Sequence, residues 1–388
     1  LKKMSPENRK QITELITSMW GTVTDDISKS RDIEPARLNR IADSLLIQTA
    51  EDALSYGFAD KLIYKDELID DLKNKLDIDS SGKVKFVSLS KYMDVRDKNR
   101  SHAKEKIAVI YASGSVVDGE GNEENIGGER ISRAIRKARK NDKVKAIVLR
   151  INSGGGSALA SEVIWREIDL AVKEKPVVAS FGNVAASGGY YIACPASRIM
   201  ADPTTITGSI GVWAAIPNLK GLMNNKLGIT FDNAKTNTNA DFISIIKPLT
   251  PYQRAILQNG VNHIYDVFST RVAEGRNIPV ENVDNLGQGR VWSGIDALKL
   301  GLIDTLGGLD AAIGLAANLA DLDDYRIAAL PVLKDPIDKF LDELFGKSNP
   351  DVYMKQVLGE DYEYYRYLKE VRELKGVQAR LPFHISIY

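Results

Sequence analysis

Between residues 104 and 210 the apolar positions fall into short blocks separated by helical stretches. Ile107-Ala108-Val109-Ile110-Tyr111 is apolar and rich in β-branched side chains, so it predicts a buried strand. Val144–Arg150, Pro176–Ser180 and Arg198–Ala201 repeat that character. Between them, Gly127–Lys140 predicts a basic helix and Ser187–Ala193 a short one. Ser157–Val172 predicts a helix with Ala160, Val163, Ile164 and Ile168 facing inward. Strands alternating with helices in this way predict an α/β fold with mostly parallel sheets and covering helices.

Two further segments share one pattern. Met4-Ser5-Pro6, Arg9 and Arg31-Asp32-Ile33 align without a gap with Leu249-Thr250-Pro251, Arg254 and Arg276-Asn277-Ile278. After one small gap, Asp52-Ala53-Leu54, Gly57, Asp60 and Leu62 align with Asp296-Ala297-Leu298, Gly301, Asp304 and Leu306. Each copy predicts a capped, proline-started amphipathic helix. Ile12, Leu15, Ile16 and Trp20 mark the apolar face of the first, and Ile256, Val261, Ile264 and Phe268 that of the second. A short helix ending at glycine and then a short strand should follow in both. Collinear matches of this kind predict a tandem repeat whose first copy is incomplete. The expected domains are 1–95, the helical C-terminal part of the first repeat; 96–325, the second repeat with its α/β region; and 326–388, a helical extension. Tyr362, Tyr364, Tyr365 and Tyr367 in that extension suit either a subunit contact or a solvated helix.

Composition narrows the function. Of 388 residues, 52 are Lys or Arg and 52 are Asp or Glu, and this balance gives no support for a nucleic-acid partner. A hydrophobic fraction of 44% and a charged fraction of 27% are those of an ordinary globular protein. One cysteine, Cys194, excludes an intrachain disulfide and a multi-cysteine zinc site. His102, His263 and His384 lie far apart, so no metal site and no cofactor is expected. No apolar stretch approaches the roughly 20 residues that cross a bilayer. The opening residues read like a helix entered mid-fold, so any targeting segment is expected ahead of residue 1.

Three glycine-bearing turns follow strands of the central region, and in α/β sheets such turns gather where sites form. Asn152-Ser153-Gly154-Gly155-Gly156-Ser157 suits an anion-binding loop or an oxyanion hole. Its lack of a Gly-Lys-Ser/Thr ending speaks against a nucleotide loop. In Ala185-Ala186-Ser187-Gly188-Gly189-Tyr190-Tyr191, small residues allow a tight turn into a helix that starts at Ser187. Ser187 there is either a nucleophile or a helix cap. Thr207-Gly208-Ser209-Ile210-Gly211-Val212 suits an extended edge that takes a peptide as an added strand, or an ordinary turn.

In this order, the three turns resemble the signal peptide peptidase A (protease IV) family, in its long tandem-repeat form. The resemblance runs from residue 1 to about 325 and implies a fold similar to the crotonase and Clp-type protease superfamily. It implies a serine endopeptidase in which Ser187 is the nucleophile and the Gly188 and Gly155 amides form the oxyanion hole. Ile210, Gly211 and Val212 would flank the substrate. Gly154 departs from the proline common in the family, which loosens the turn. No histidine lies between Ser187 and His263, and the resemblance instead implies a serine–lysine dyad. A lysine must fall from about 10.4 to roughly 7–8 to act as a base near neutral pH. In the long form that lysine would precede Leu1; within this chain Lys235 is the substitute. The isolated chain is therefore expected to be inactive or weakly active. The resemblance further implies cleaved signal peptides as substrates, a homo-oligomer (a tetramer), and a place on the periplasmic side of the inner membrane. A crotonase-like acyl-CoA enzyme and a non-catalytic assembly module are the alternatives.

Overall fold

The structure is a computed structural model; it describes residues 3–93, 103–332, 354, 358–359, 362 and 365, and the backbone of 378–380. The chain divides into two compact units, Ile12–His102 and Leu1–Gln11 with Ala103–Tyr388.

The smaller unit is helical. α1 (Pro6–Arg31) runs into it and is followed by α2 (Pro35–Asp43), α3 (Ala50–Ser55), α4 (Lys65–Lys75) and α5 (Leu89–Met93). Leu15, Ile33, Leu38 and Ile41 are its buried apolar residues. α3 leads to Gly57 at φ +84°, as the sequence predicts, and Thr49 caps its start in a reciprocal pair with Asp52. Two expectations fail here. Ile16 and Trp20 are 56% and 43% exposed, because Leu15 and Thr24 carry the buried face of α1. Among the described residues of this unit, no strand follows Asp60.

The larger unit holds two sheets. β1 (Lys106–Ser113) leads through β2 (Val116–Val117) and β3 (Ile126–Gly127) to α6 (Gly128–Arg139). β4 (Val144–Ser153), β5 (Gly155–Ser157) and α7 (Ala158–Val172) come next. Then follow β6 (Val177–Ala186), α8 (Gly188–Ala193), β7 (Arg198–Ala201), β8 (Ile206–Gly208) and α9 (Lys220–Lys226). The long α10 (Pro251–Arg276) precedes α11 (Val280–Leu286), β9 (Val291–Ser293), α12 (Gly294–Lys299), β10 (Thr305–Leu306), α13 (Leu309–Leu319) and β11 (Arg326–Leu330). β12 (Gln378–Arg380) lies near the C-terminus.

The main sheet runs β10-β7-β6-β4-β1-β11, with β8 on β6 and β9 on β8. Every pair in it is parallel except β8–β9, which confirms the expected mostly parallel α/β class. Both faces are covered, which is why its strands read as continuous apolar runs. Alternate residues of β1 face opposite ways: Ala108 and Ile110 join the core beneath α6, α7 and α8, and Ile107 and Val109 join the core beneath α13. Residues 326–330 are a strand parallel to β1, not the start of the expected helical extension. The tyrosine-rich stretch of that extension lies mostly outside the described residues. Two inward assignments also fail: Val163 on α7 is 40% exposed and Ile256 on α10 is 43% exposed.

α10 reproduces the capping chemistry read from sequence. Thr250 accepts from the Gln253 N–H, Gln253 returns the bond to the Thr250 N–H, and Pro251 opens the helix. Its end is fixed by Arg276, whose guanidinium lies 2.8 Å from the Asp304 carboxylate. Within the smaller unit, Arg31 stands 2.7 Å from Asp60. These four residues occupy matching places in the two aligned segments.

Candidate active site

β6 ends at Ala186 and α8 begins at Gly188, so the chain turns from strand to helix on Ser187 alone. Ser187 sits at φ +54° and ψ −120°. A side chain resists that conformation, at a cost of about 1–3 kcal/mol. The backbone is pinned there: the Ser187 N–H donates to the Gly208 carbonyl at 2.8 Å, and the Tyr191 N–H donates to the Ser187 carbonyl at 2.8 Å. The hydroxyl is fully buried and finds no hydrogen-bond partner among the described residues. It does not cap α8, so the helix-cap reading of this serine fails. A strained serine on a sharp strand-to-helix turn is the geometry of a nucleophile elbow.

The glycine turn after β4 lies against this elbow. Ser153 pairs with Ala185 across the parallel β4–β6 ladder. A side chain at Gly189 would come within 2.7 Å of the Ser153 carbonyl oxygen, which is why glycine stands there. Asn152 braces the same junction, its Oδ1 accepting from the Val184 N–H at 3.2 Å. Ser157 closes the turn by capping α7: its hydroxyl accepts from the Ala160 N–H at 3.2 Å and donates to Asp118. Gly155 and Gly156, at φ +97° and +159°, form β5 with Ser157. One edge of β5 pairs with β2, and the other takes β12 antiparallel, with Arg380 opposite Gly155 and Ala379 opposite Gly156.

The two expected oxyanion donors differ in state. Gly188 supplies a first-turn amide of α8, and no side chain caps that helix. The Gly155 N–H is already engaged, donating to the Ser153 hydroxyl at 3.1 Å in a buried setting. Ser153 must turn away before Gly155 can donate to anything else.

The substrate-flanking segment is not a strand. β8 stops at Gly208, because Ser209 takes φ +48° and gives its N–H to the Arg290 carbonyl at 2.6 Å. Ile210 points into the core and its carbonyl accepts from the Gly289 N–H at 2.9 Å, while Val212 is half-buried against the same core. A side chain at Gly211 would lie 2.8 Å from the Gly289 backbone.

Lys235 is engaged elsewhere. Its amine lies 3.2 Å from the Thr238 carbonyl and 3.4 Å from Asp241, and its side chain is 40% exposed. A hydrogen bond from Lys247, with the charge of Lys235 added, holds the Asp241 carboxyl below its ordinary value. Among the described residues no hydrogen bond joins Lys235 to Ser187. His263 is exposed on α10.

One cluster beside the elbow carried no readable role in sequence. Tyr191, one turn into α8, donates its hydroxyl to Glu162 of α7. Glu162 also binds Arg271 of α10 at 2.9 Å, and Arg271 stacks 3.7 Å from the centre of the Trp165 ring. Glu162 and Arg271 are 109 residues apart, a distance no local pattern spans.

The chain is similar to known proteins. The profile of peptidase family S49 matches residues 1–79 and 170–323, more than half of the chain. Protease 4 of Salmonella typhi is 36% identical over 355 residues, covering 88% of this chain and 56% of the relative. The chloroplastic serine protease SPPA of Arabidopsis thaliana is 33% identical over 392 residues, covering 98% of this chain and 56% of the relative. The chain thus spans about half the length of these curated relatives. Among solved structures, a membrane-bound stomatin-specific protease matches at 17% identity with a TM-score of 0.39, covering 60% of this chain and all of its own.

Proposed function

The chain belongs to peptidase family S49, and from that premise we propose that it is a serine endopeptidase acting through Ser187. The observation that carries this reading is the conformation of Ser187, a strained residue whose buried hydroxyl lacks a partner among the described residues. Such strain persists only where the surrounding structure over-determines it, and it concentrates at functional sites. The adjacent amides suit an oxyanion. In the proposed reaction the Ser187 oxygen attacks a peptide carbonyl, and the developing negative charge falls to the Gly188 N–H. It falls to the Gly155 N–H as well once Ser153 releases that donor. The base takes the Ser187 proton and passes it to the amine, the acyl-enzyme forms as that amine leaves, and water hydrolyses the acyl-enzyme. Family membership favours this over the acyl-CoA reading.

The base is proposed to be a lysine, as the resemblance implies. The contacts of Lys235 with Thr238 and Asp241 support assigning that role to a different lysine. Cleaved signal peptides and other membrane-derived peptides are the proposed substrates. A homo-oligomer on the periplasmic face of the inner membrane, and a tandem repeat within the chain, complete the proposal. The matched Arg31–Asp60 and Arg276–Asp304 pairs support the repeat. No helix of the described residues is long and apolar enough to cross a membrane.

The test is covalent labelling of the full-length protein with a fluorophosphonate, with the modified residue mapped by mass spectrometry. Ser187 should be the labelled residue, Ser187→Ala should abolish labelling, and Lys235→Ala should leave it unchanged. Labelling that survives Ser187→Ala would overturn the assignment.

A further inference from the structure

The two halves of the candidate site hang from two different helices. α7 starts directly after the Gly155–Ser157 turn, and α8 starts directly after Ser187. We propose that Glu162 of α7 and Tyr191 of α8, with Arg271 of α10 behind them, form a clasp that fixes the oxyanion turn relative to the nucleophile. Glu162 and Tyr191 are thus positioning residues for the Ser187 chemistry. The inference rests on the reading of Ser187 as nucleophile and adds to it what holds the two halves in register.

The geometry carries it in three steps. Tyr191 is coupled to the elbow by its own backbone, since its N–H bonds to the Ser187 carbonyl at 2.8 Å. Its ring is fixed from one side by Phe268, with centroids 4.6 Å apart, and its hydroxyl is fixed by Glu162. Glu162 lies about one turn beyond Ser157, the residue that caps α7 and ends β5. The Tyr191–Glu162 bond therefore closes a loop that runs from Ser187 through α8 and α7 to Gly155, with one turn of helix on either side. A hydrogen bond to a charged acceptor is shorter and about twice as strong as a neutral one.

Arg271 gives the clasp a fixed base. It binds the second oxygen of Glu162 at 2.9 Å, and its own position is set by the Trp165 face. Trp165 lies three residues beyond Glu162 on α7, so arginine and carboxylate are held by the same helix face. The tyrosine stays a donor throughout: burial, and then the hydrogen bond to Glu162, push its phenol above the ordinary value. A displacement of about 1 Å in a catalytic constellation costs on the order of a hundredfold in rate, so a tether between the halves has a kinetic consequence that mere packing would not.

The experiment uses the full chain with Tyr191→Phe, Glu162→Gln and Glu162→Leu. Tyr191→Phe keeps the ring on Phe268 and removes only the hydroxyl. The second-order rate of Ser187 labelling by a fluorophosphonate should fall at least tenfold in Tyr191→Phe and in Glu162→Leu. Glu162→Gln, which keeps an acceptor for the phenol, should recover most of the wild-type rate. Wild-type rates in Tyr191→Phe would overturn the clasp while leaving the nucleophile intact. Absence of labelling in the wild type would mean that Ser187 lacks its base within this sequence, and amide hydrogen exchange then decides the clasp. Exchange at 155–157 and at 188–190 should accelerate together in Tyr191→Phe, by more than the drop in the unfolding midpoint accounts for. Unchanged exchange at 155–157 would end the proposal.

Discussion

Replacing Ser187 should make the protein more stable. The wild-type residue carries two costs that the structure makes visible: a positive φ of +54° and a fully buried hydroxyl unpaired among the described residues. Ser187→Ala removes the hydroxyl, whose unpaired burial costs about 1–3 kcal/mol, but keeps the strained backbone. A gain of about 1 kcal/mol is the expected result. Ser187→Gly also relieves the strain, at about 1–3 kcal/mol, against a loss of roughly 0.5–1 kcal/mol from the added backbone freedom of glycine. Its net gain should exceed that of alanine by about 1 kcal/mol. The N–H of residue 187 keeps its bond to Gly208 in both variants, because that bond belongs to the backbone. The assay is a urea titration followed by far-UV circular dichroism, in which the midpoint should rise in the order Ser, Ala, Gly with an unchanged slope. Removal of a catalytic group that raises stability is the expected signature of a site held under strain. If both variants unfold at or below the wild-type midpoint, residue 187 is neither strained nor unpaired in solution, and the elbow reading fails.

Other outcomes follow from packing and charge. Arg276→Ala should cost about 3 kcal/mol, since its side chain is only 7% exposed and leaves Asp304 without its partner. Arg31→Ala, whose pair with Asp60 is much more exposed, should cost about 1 kcal/mol or less in the same denaturation assay. Gly275→Ala would place a methyl 2.2 Å from the Cys194 carbonyl oxygen in the core, and should destabilise by about 1–3 kcal/mol by calorimetry. Burial pushes the Cys194 thiol well above its ordinary range, so a maleimide should react with it at pH 8 only after denaturation. The sign of the linked pH dependence is fixed: the folded thiol stays protonated where the unfolded one ionises. Its stabilising contribution is whole below the unfolded value of about 8.5 and declines above it, by at most about 1.4 kcal/mol per pH unit. A midpoint that holds level from pH 8 to 10 in wild type would refute that linkage.

What could be read from the sequence was what local pattern dictates. Arg198–Ala201 forms a strand over the residues expected, because an apolar block bounded by polar residues and proline has one way to be buried. The cap at Thr250 was legible because capping is a contact over three residues. Ser187 was legible as a candidate through its glycine neighbours, but its strain depends on Gly208, which reaches it only across the β6–β8 ladder. Which face of α1 is buried could not be read, because Thr24 bonds its hydroxyl back to the Trp20 carbonyl and packs like an apolar residue, while Ile16 is left outside. The strand expected after Asp60 fails for a related reason. Its counterpart β10 exists by pairing with β7, and a two-residue strand has no stability without such a neighbour. The Glu162–Arg271 pair and the turn of Ser153 onto Gly155 both arise from tertiary contacts or hydroxyl rotation, and neither leaves a trace in residue order.

The three-residue strand Gln378–Arg380, laid antiparallel along β5, changes what any binding measurement on this molecule means. A guest peptide seeking that edge meets a berth already held by the host's own main chain. Titrations therefore report the exchange of one tenant for another, and the apparent dissociation constant is the intrinsic one divided by the fraction of molecules in which the resident strand is unseated. A chain shortened to end before Gly376 should bind the same guest more tightly, by the reciprocal of that fraction.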